Sequence, residues 1–269
     1  IENPEGNYLI FATSNGRIKK SRLSEYVRIN RNGKYALRFA EGEDDTLVTV
    51  RPATDSDHVV LVSALGNACR FMPAEERSRI APETGEKMTT FVVRVQGRVS
   101  QGVSGMKLGQ GDSVIGMIVT DDFDTSVLTI SKFGMGKRSR LGSGEMLPLD
   151  QEVDEDGGPV FERDGYRRTN RGTKGVRTMS LREGDQIVSV RQIPDLGDQL
   201  FLLTGSGMMI RMAASQTKET LGKVTKGTRI MELRNTDRTG FVDEIVFVAR
   251  LPSELVDPSD SHEESTEEE

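Results

Sequence analysis

Apolar and polar positions along the chain fall into one pattern, written four times. A short apolar run leads into a turn glycine, and a basic residue stands four positions after it. The four copies are Leu9-Ile-Phe-Ala with Gly16 and Lys20, Val59-Val-Leu-Val with Gly66 and Arg70, Val127-Leu-Thr-Ile with Gly134 and Arg138, and Leu200-Phe-Leu-Leu with Gly207 and Arg211. A second module begins at Gly33, Gly102, Gly175 and Gly227. Leu or Met follows four residues on (Leu37, Met106, Met179, Met231), and Phe or Leu six on (Phe39, Leu108, Leu181, Leu233). Self-similarity at a period of tens of residues marks a repeat architecture whose units stack on their neighbours.

The pattern predicts β-structure. Tyr8–Thr13 and His58–Ala64 are short, β-rich and bounded by Gly, Asn, Asp or Pro, which is the strand signature. Ser14-Asn-Gly-Arg17 predicts an Asn-Gly hairpin of type I′, with a strand from Arg17 to Leu23 after it; Leu65-Gly-Asn and Gly205-Ser-Gly take the turn's place in two other copies. Strands are predicted after each second glycine, as in Gly102–Leu108. An acidic turn then leads to a further strand, with Gly111-Asp112 before Ser113–Val119 and Gly184-Asp185 before Gln186–Val190. Each repeat thus supplies about four strands, and four such repeats predict an all-β, propeller-like stack of blades at about 6–57, 58–125, 126–198 and 199–252. Residues 73–98 lengthen the second repeat. Leu147–Arg163, within the acidic stretch 145–164, reads as a mobile surface loop inserted in the third, and the Pro, Ser, Asp and Glu composition of 253–269 predicts a disordered tail.

Composition changes this picture in two places. With no Trp and few aromatics, the core must come from Val, Ile, Leu and Met, and 28 glycines in 269 residues fit many tight turns. The formal net charge of −6 hides a segregation of the acids. Residues 254–269 hold eight acids and no base, so the rest carries 36 bases against 34 acids; setting aside the eight acids and one Arg of 145–164 leaves 35 bases against 26. A basic body with acidic appendages suits a polyanion binder whose tail competes for the same surface. The single Cys69 excludes an internal disulfide and suits a reducing compartment. No apolar run is long enough to span a membrane, so no membrane partner is expected, and the opening at Ile1 reads as the start of a piece of something longer.

The recurring cations are the candidate site. Lys20, Arg70, Arg138 and Arg211 occupy equivalent positions, so in equivalent blades they predict an arc, widened by Arg17, Lys19, Arg22, Lys137 and Arg140. A lone Arg on a strand is ordinarily a solvated residue; recurrence in register suggests a track matched to duplex phosphates, one per roughly 1.7 Å. A second cluster precedes the module glycines. It is strongest in Tyr166-Arg-Arg-Thr-Asn-Arg-Gly-Thr-Lys-Gly175 (Arg167, Arg168, Arg171, Lys174) followed by Arg177, with counterparts in Lys34, Lys226 and Arg229. Its glycines are read as letting backbone amides approach a phosphate.

Phe11-Ala-Thr-Ser-Asn-Gly-Arg-Ile-Lys-Lys20, Gly102-Val-Ser-Gly-Met-Lys-Leu-Gly-Gln-Gly-Asp112, Lys132-Phe-Gly-Met-Gly-Lys-Arg138 and Thr173-Lys-Gly-Val176, with the acidic tail, resemble the C-terminal domain of DNA gyrase A, part of a type IIA topoisomerase. The likeness runs over residues 6–269 except the inserts. It implies a β-pinwheel, of which four of six blades are here, wrapping duplex DNA around its rim. It also implies a parent enzyme, bacterial and therefore cytoplasmic and nucleoid-associated, whose breakage-reunion domain and ATPase subunit complete a heterotetramer for ATP-dependent negative supercoiling. ATP and Mg are expected there and no cofactor in this chain. The segment Tyr166–Gly175 is similar to the family's basic, glycine-containing wrapping loop but lies in a different blade. No tyrosine here (Tyr8, Tyr26, Tyr35, Tyr166) has the arginine-tyrosine setting of the family's nucleophile.

Other chemistry is sparse. Two histidines (His58, His262) and one cysteine do not make an ordinary zinc site, and no phosphate-binding P-loop is present, so no catalytic or metal residue is expected. Both histidines read as solvated, Cys69 as core, and Asp112 and Asp185 as solvated turn residues. The alternatives are the equivalent domain of topoisomerase IV and a propeller that serves only as a protein-interaction platform.

Overall fold

The computed structural model describes residues 6–80, 87–153, 158–220, 225–233, 235–236 and 241–256. Its strands follow the repeats. The first repeat gives β1 (Tyr8–Thr13), β2 (Arg17–Arg22) and β3 (Leu47–Ala53). The second gives β4 (His58–Ser63), β5 (Asn67–Phe71), β6 (Glu76–Ile80), β7 (Lys87–Phe91), β8 (Val103–Ser104) and β9 (Val114–Thr120). The third gives β10 (Ser126–Ser131), β11 (Met135–Arg140), β12 (Met146–Val153), β13 (Pro159–Arg163), β14 (Val176–Arg177) and β15 (Ile187–Ile193). The fourth gives β16 (Gln199–Thr204), β17 (Met209–Ala213), β18 (Thr228–Arg229), β19 (Asn235–Thr236), β20 (Phe241–Val242) and β21 (Ile245–Leu251).

The blades are not built from their own repeats. Three four-stranded sheets have the orders β3-β1-β2-β8, β9-β4-β5-β14 and β15-β10-β11-β18; the last sheet, β21-β16-β17, has three strands. The fourth strand of each sheet therefore comes from the next repeat. Its register repeats as well: Arg17 and Ile18 oppose Ser104 and Val103, Asn67 and Ala68 oppose Arg177 and Val176, and Met135 and Gly136 oppose Arg229 and Thr228. This corrects the expectation of four local strands per blade. The exchanged strands are two residues long rather than the seven read from Gly102–Leu108, because beyond them the chain turns inward to bury Met106, Met179 or Met231 between sheets.

Packing explains why the exchange is stable. In β4 alternate side chains enter different cores: Val59 and Leu61 join Ile10 and Ile18 of the first sheet, whereas Val60 and Val62 join Val127 of the third. Leu128 and Ile130 in turn meet Leu200 and Leu202. Strands β4 and β10 are buried at every residue, while β16, with a neighbouring sheet on one face, alternates between half-buried and buried. β3 lies against β9, β9 against β15 and β15 against β21, so these strands form the inner edge of the stack and β8, β14 and β18 its outer rim.

Glycine makes the exchange sterically feasible. Gly175 has φ +73°, and a Cβ there would lie 2.1 Å from the Ala68 carbonyl oxygen of the receiving sheet. Gly175→Ala is expected to cost at least about 2 kcal/mol, the left-handed penalty of about 1–2 plus the clash. Gly184→Ala, at φ +74° with open space around it, should cost only about 1 kcal/mol. Urea midpoints of the two variants check this; equal losses would refute the packing argument.

The turns differ in detail from expectation. In all four hairpins the glycine N–H (Gly16, Gly66, Gly134, Gly207) donates to the carbonyl three residues earlier (Thr13, Ser63, Ser131, Thr204), so the glycine follows the two central residues instead of being one of them. The recurring aspartates brace these turns. Asp45 accepts from Asn15 N–H, Asp112 from Leu65, Asp185 from Phe133 and Asp243 from Ser206. Asp185 is buried, which corrects its reading as a solvated turn residue. The insert at Leu147–Arg163, expected as a mobile loop, pairs its two arms as the β12–β13 hairpin, and 73–98 carries the β6–β7 hairpin. Residues 253–255 form a 3-10 turn tied to Asp198 and Asp195, so the tail does not begin disordered at 253; 257–269 and His262 lie outside the described residues.

Candidate nucleic-acid interface

The expected arc is buried. Lys20 is 3% exposed and pairs with Asp55 at 2.6 Å, Arg70 is 1% exposed, and Arg138 is 8% exposed and pairs with Glu219 at 2.7 Å. Lys19 and Lys137 are buried too, and only Arg211 of the four recurring positions is exposed, with its guanidinium 5.9 Å from the Phe201 ring. Lys19, Lys20, Arg70, Lys137 and Arg138 therefore do not face a ligand at the surface. They sit on the third strand of each sheet, and the chain of the next repeat covers them.

These cations act as clamps on that covering chain. Arg70 Nη1 donates to the carbonyls of Leu141, Gly142 and Tyr166, at 2.9, 2.8 and 2.9 Å. Arg138 reaches the Thr217 carbonyl, Lys137 the Thr178 carbonyl, and Lys19 the carbonyls of Ala36 and Arg98. Burial, then the like charge of Arg168, pushes Arg70 down to about 10, and burial pushes both Lys19 and Lys137 down to about 8. Recurrence in the sequence thus reflects a repeated joint, since each blade must hold the segment that its neighbour lends.

His58 belongs to the same joint. It is buried, not solvated, and its Nδ1 accepts from Arg70 Nε at 3.1 Å. Burial and then the charges of Arg70 and Arg168 push it down to about 4. The unfolded imidazole titrates near 6.5, so the unfolded chain binds the extra proton between these values and stability falls as pH drops through that window. A loss of up to about 3 kcal/mol by pH 4 is expected from this group. His58→Gln should flatten that limb of a stability-against-pH curve; an unchanged limb would refute the assignment.

The remaining cations lie outward. Arg22, Lys34, Arg167, Arg168, Lys174, Arg177 and Lys226 are exposed, and none has a side-chain hydrogen bond or ion pair among the described residues. Arg177 is on rim strand β14, and Arg229, on rim strand β18, makes a loose 3.8 Å contact with exposed Glu232. Arg140 is half exposed and pairs with Asp124 and Asp164. Arg17 and Arg171 are half-buried struts: Arg17 donates to the Gln101 carbonyl, and Arg171 to the carbonyls of Val92 and Ser104. Lys107, exposed just after β8, was not singled out from the sequence; its place five residues after a module glycine was the available signal.

The loop from Tyr166 to Gly175 is more ordered than its composition suggests. Its glycines approach protein backbone rather than leaving amides open to a phosphate: Gly172 N–H donates to the Gly105 carbonyl, and Gly175 packs on Ala68. Tyr166 is buried, with its hydroxyl against that of Thr178 and its own ionisation pushed up to about 12 by burial. Arg167, Arg168 and Lys174 project from this anchored loop. Beneath it a cavity of about 430 Å³ lies between β11, the β12–β13 hairpin and β14, with Arg140, Arg163, Arg167 and Arg177 in its walls. No group of three or more His, Cys, Asp or Glu suited to a metal ion occurs among the described residues, and no helix among them is long and apolar enough to cross a membrane.

Interlocked four-stranded blades with cations along the outer strand define a propeller-like repeat domain. The chain belongs to the family described as DNA gyrase C-terminal domain, beta-propeller, which matches residues 7–54, 92–121, 125–143, 160–194 and 198–241. Relatives include the DNA gyrase A protein of Staphylococcus epidermidis, 32% identical over 231 residues, and that of Staphylococcus aureus, 30% identical over 265 residues. The alignments cover 85% and 97% of this chain but 21% and 24% of those proteins. Among solved structures, the C-terminal domain of DNA topoisomerase IV aligns with a TM-score of 0.69 and that of DNA gyrase A with 0.63. Both are 18% identical and cover 94% of this chain, against 65% and 68% of theirs. The chain thus spans about a fifth to a quarter of its curated relatives.

Proposed function

We propose that this chain binds duplex DNA along its outer rim, without base readout, and bends it around the stack. The observation that carries the reading is the set of exposed cations at Lys34, Arg167, Arg168, Lys174, Arg177 and Lys226, without a side-chain partner among the described residues and carried by the segments that lead into or follow the module glycines. A rigid curved edge bearing guanidinium and ammonium groups matches a phosphate track, and such contacts fix the position and bending of DNA rather than its sequence. In the longer protein this surface would present a DNA segment to a breakage-reunion domain, with a separate ATPase polypeptide supplying energy for negative supercoiling, as the resemblance to the gyrase A C-terminal domain implies.

A gel-shift titration with random-sequence duplex between 50 and 200 mM salt tests the binding; with about six phosphate contacts, affinity should fall by roughly 10³-fold over that range. Ligation of linear DNA into minicircles with the protein bound reads wrapping and its sense. A flat salt response would refute the DNA reading and leave a platform for protein partners.

A further inference from the structure

The cavity beneath the β12–β13 hairpin has walls that are each held by their own bonds. At the base of the hairpin, Gly144 N–H donates to the Asp164 carbonyl, Asp164 N–H to the Glu145 carbonyl, and Arg163 Nη1 to the Gly144 carbonyl. Val176 and Arg177, on another side, are paired into the second sheet against Ala68 and Asn67. Lys137, Ser139 and Arg140 belong to β11 of the third sheet, and Thr220 of the fourth repeat is fixed by its N–H on the Arg138 carbonyl. Parts of two repeats and an insert thus enclose about 430 Å³, within the range of about 300–1,000 Å³ usual for small-molecule sites. The site is preformed.

Its lining has two characters. The buried end holds Lys137, Tyr166 and Thr178, whose polar atoms engage one another: Lys137 Nζ donates to the Thr178 carbonyl at 2.7 Å, and the Tyr166 hydroxyl meets that of Thr178. Leu147, Pro148 and Leu149 of the hairpin and Val176 of β14 add apolar wall. The open end is cationic, with Arg167 and Arg177 exposed there. The charges of the lining do not balance. Asp164 is already held by Ser143 N–H at 2.7 Å and by Arg140 at 3.3 Å, and the Ser143 bond above all keeps its carboxyl below the usual carboxylate range. Arg140 also pairs with Asp124. Among the described residues that leaves exposed Glu162 against Arg163, Arg167 and Arg177, so positive charge is in excess beside apolar surface.

We infer that this cavity is a binding site for a small organic anion with an aromatic body of about two rings, seated on Leu149, Val176 and Tyr166 with its charge toward Arg167 and Arg177. A bare phosphate or sulfate would leave the apolar wall facing water. A neutral hydrophobe would take water from the arginines and return no charge. The lining therefore selects a molecule with both parts. An aromatic body suits it better than an aliphatic one, because guanidinium groups and a tyrosine ring both stack on aromatic faces.

The probe is anilinonaphthalenesulfonate, an aromatic sulfonate whose fluorescence rises in apolar surroundings. Titrated into the full 269-residue chain without DNA, it should saturate at one site per chain with a dissociation constant of about 10–100 µM, as expected for a ligand of its size. Phenylnaphthylamine, the same rings without the sulfonate, should bind at least about tenfold more weakly. Arg177→Ala should weaken the sulfonate about tenfold and leave the neutral compound unchanged, a split that a folding defect does not produce. Leu149→Trp, which fills the cavity from the hairpin, should abolish binding of both. The site is overturned if the sulfonate does not saturate at one per chain, if the neutral compound binds as tightly, or if either variant binds the sulfonate as the parent does. No DNA is present in this assay, so failure of the cavity and failure of the DNA rim give different results.

Discussion

Replacing Arg167, Arg168, Lys174 and Arg177 together by alanine is expected to lower affinity for random duplex by about 10³-fold at 0.1 M salt and to flatten the salt slope by about 3 to 4. All four are exposed and without a side-chain partner among the described residues, and the loop carrying them is held by bonds to Arg70, Gly105 and Ala68 that the substitutions leave intact. The protein should therefore stay folded and lose only phosphate contacts. The contrasting variant is Lys20→Met, which removes a buried ammonium held by Asp55 and, while the fold persists, should leave the slope unchanged. Salt titrations of both variants by fluorescence anisotropy decide between the rim and the recurring position that the sequence first suggested. A slope that responds to Lys20 and not to the loop would reverse that assignment.

Arg70→Met is expected to destabilise the fold by about 3–5 kcal/mol, the range for removing one member of a buried charged network. The carbonyls of Gly142 and Tyr166 would lose their Arg70 donor, Leu141 would keep only the Tyr166 N–H, and His58 Nδ1 would lose its own. The Phe123 ring, 5.0 Å from the guanidinium, would lose a stacking partner. Because those carbonyls precede β14, the damage should appear first as faster hydrogen exchange at Thr169 and at Val176–Thr178, where the third repeat is lent to the second sheet. Arg211→Met, at the equivalent position of the last blade, should cost no more than about 1 kcal/mol because its side chain is exposed, where the contacts of a charged group are screened by solvent. Equal losses from the two variants would mean that the clamp contributes nothing beyond a solvated arginine.

The contrast between Arg70 and Arg211 shows where the sequence was legible. Both stand four residues after a turn glycine on the same kind of strand, and nothing local distinguishes them. Strand positions such as Tyr8–Thr13 were readable because alternation and turn glycines are local signals. Cys69 was rightly placed in the core by its apolar neighbours, whereas His58 was misplaced because its burial depends on Arg70 twelve residues away and on Phe123, which packs on it edge-on. The module glycines were legible as special positions, but what they approach was not. Their close neighbours, Ile18 against Gly102, Ala68 against Gly175 and Gly136 against Gly227, belong to the preceding repeat, far back along the chain.

By itself the sequence determined the repeat, the all-β character, the turn glycines and the excess of cations outside the two acidic stretches, because each is a property of short segments and of composition. Only the tertiary structure decided that the first three blades borrow their outer strand from the next repeat, and hence which cations are buried clamps and which face water. The physical reason is that a strand's exposure is set by what packs over it. Here that covering belongs to the following repeat, whose distance along the chain leaves no trace in the periodicity of the strand it hides.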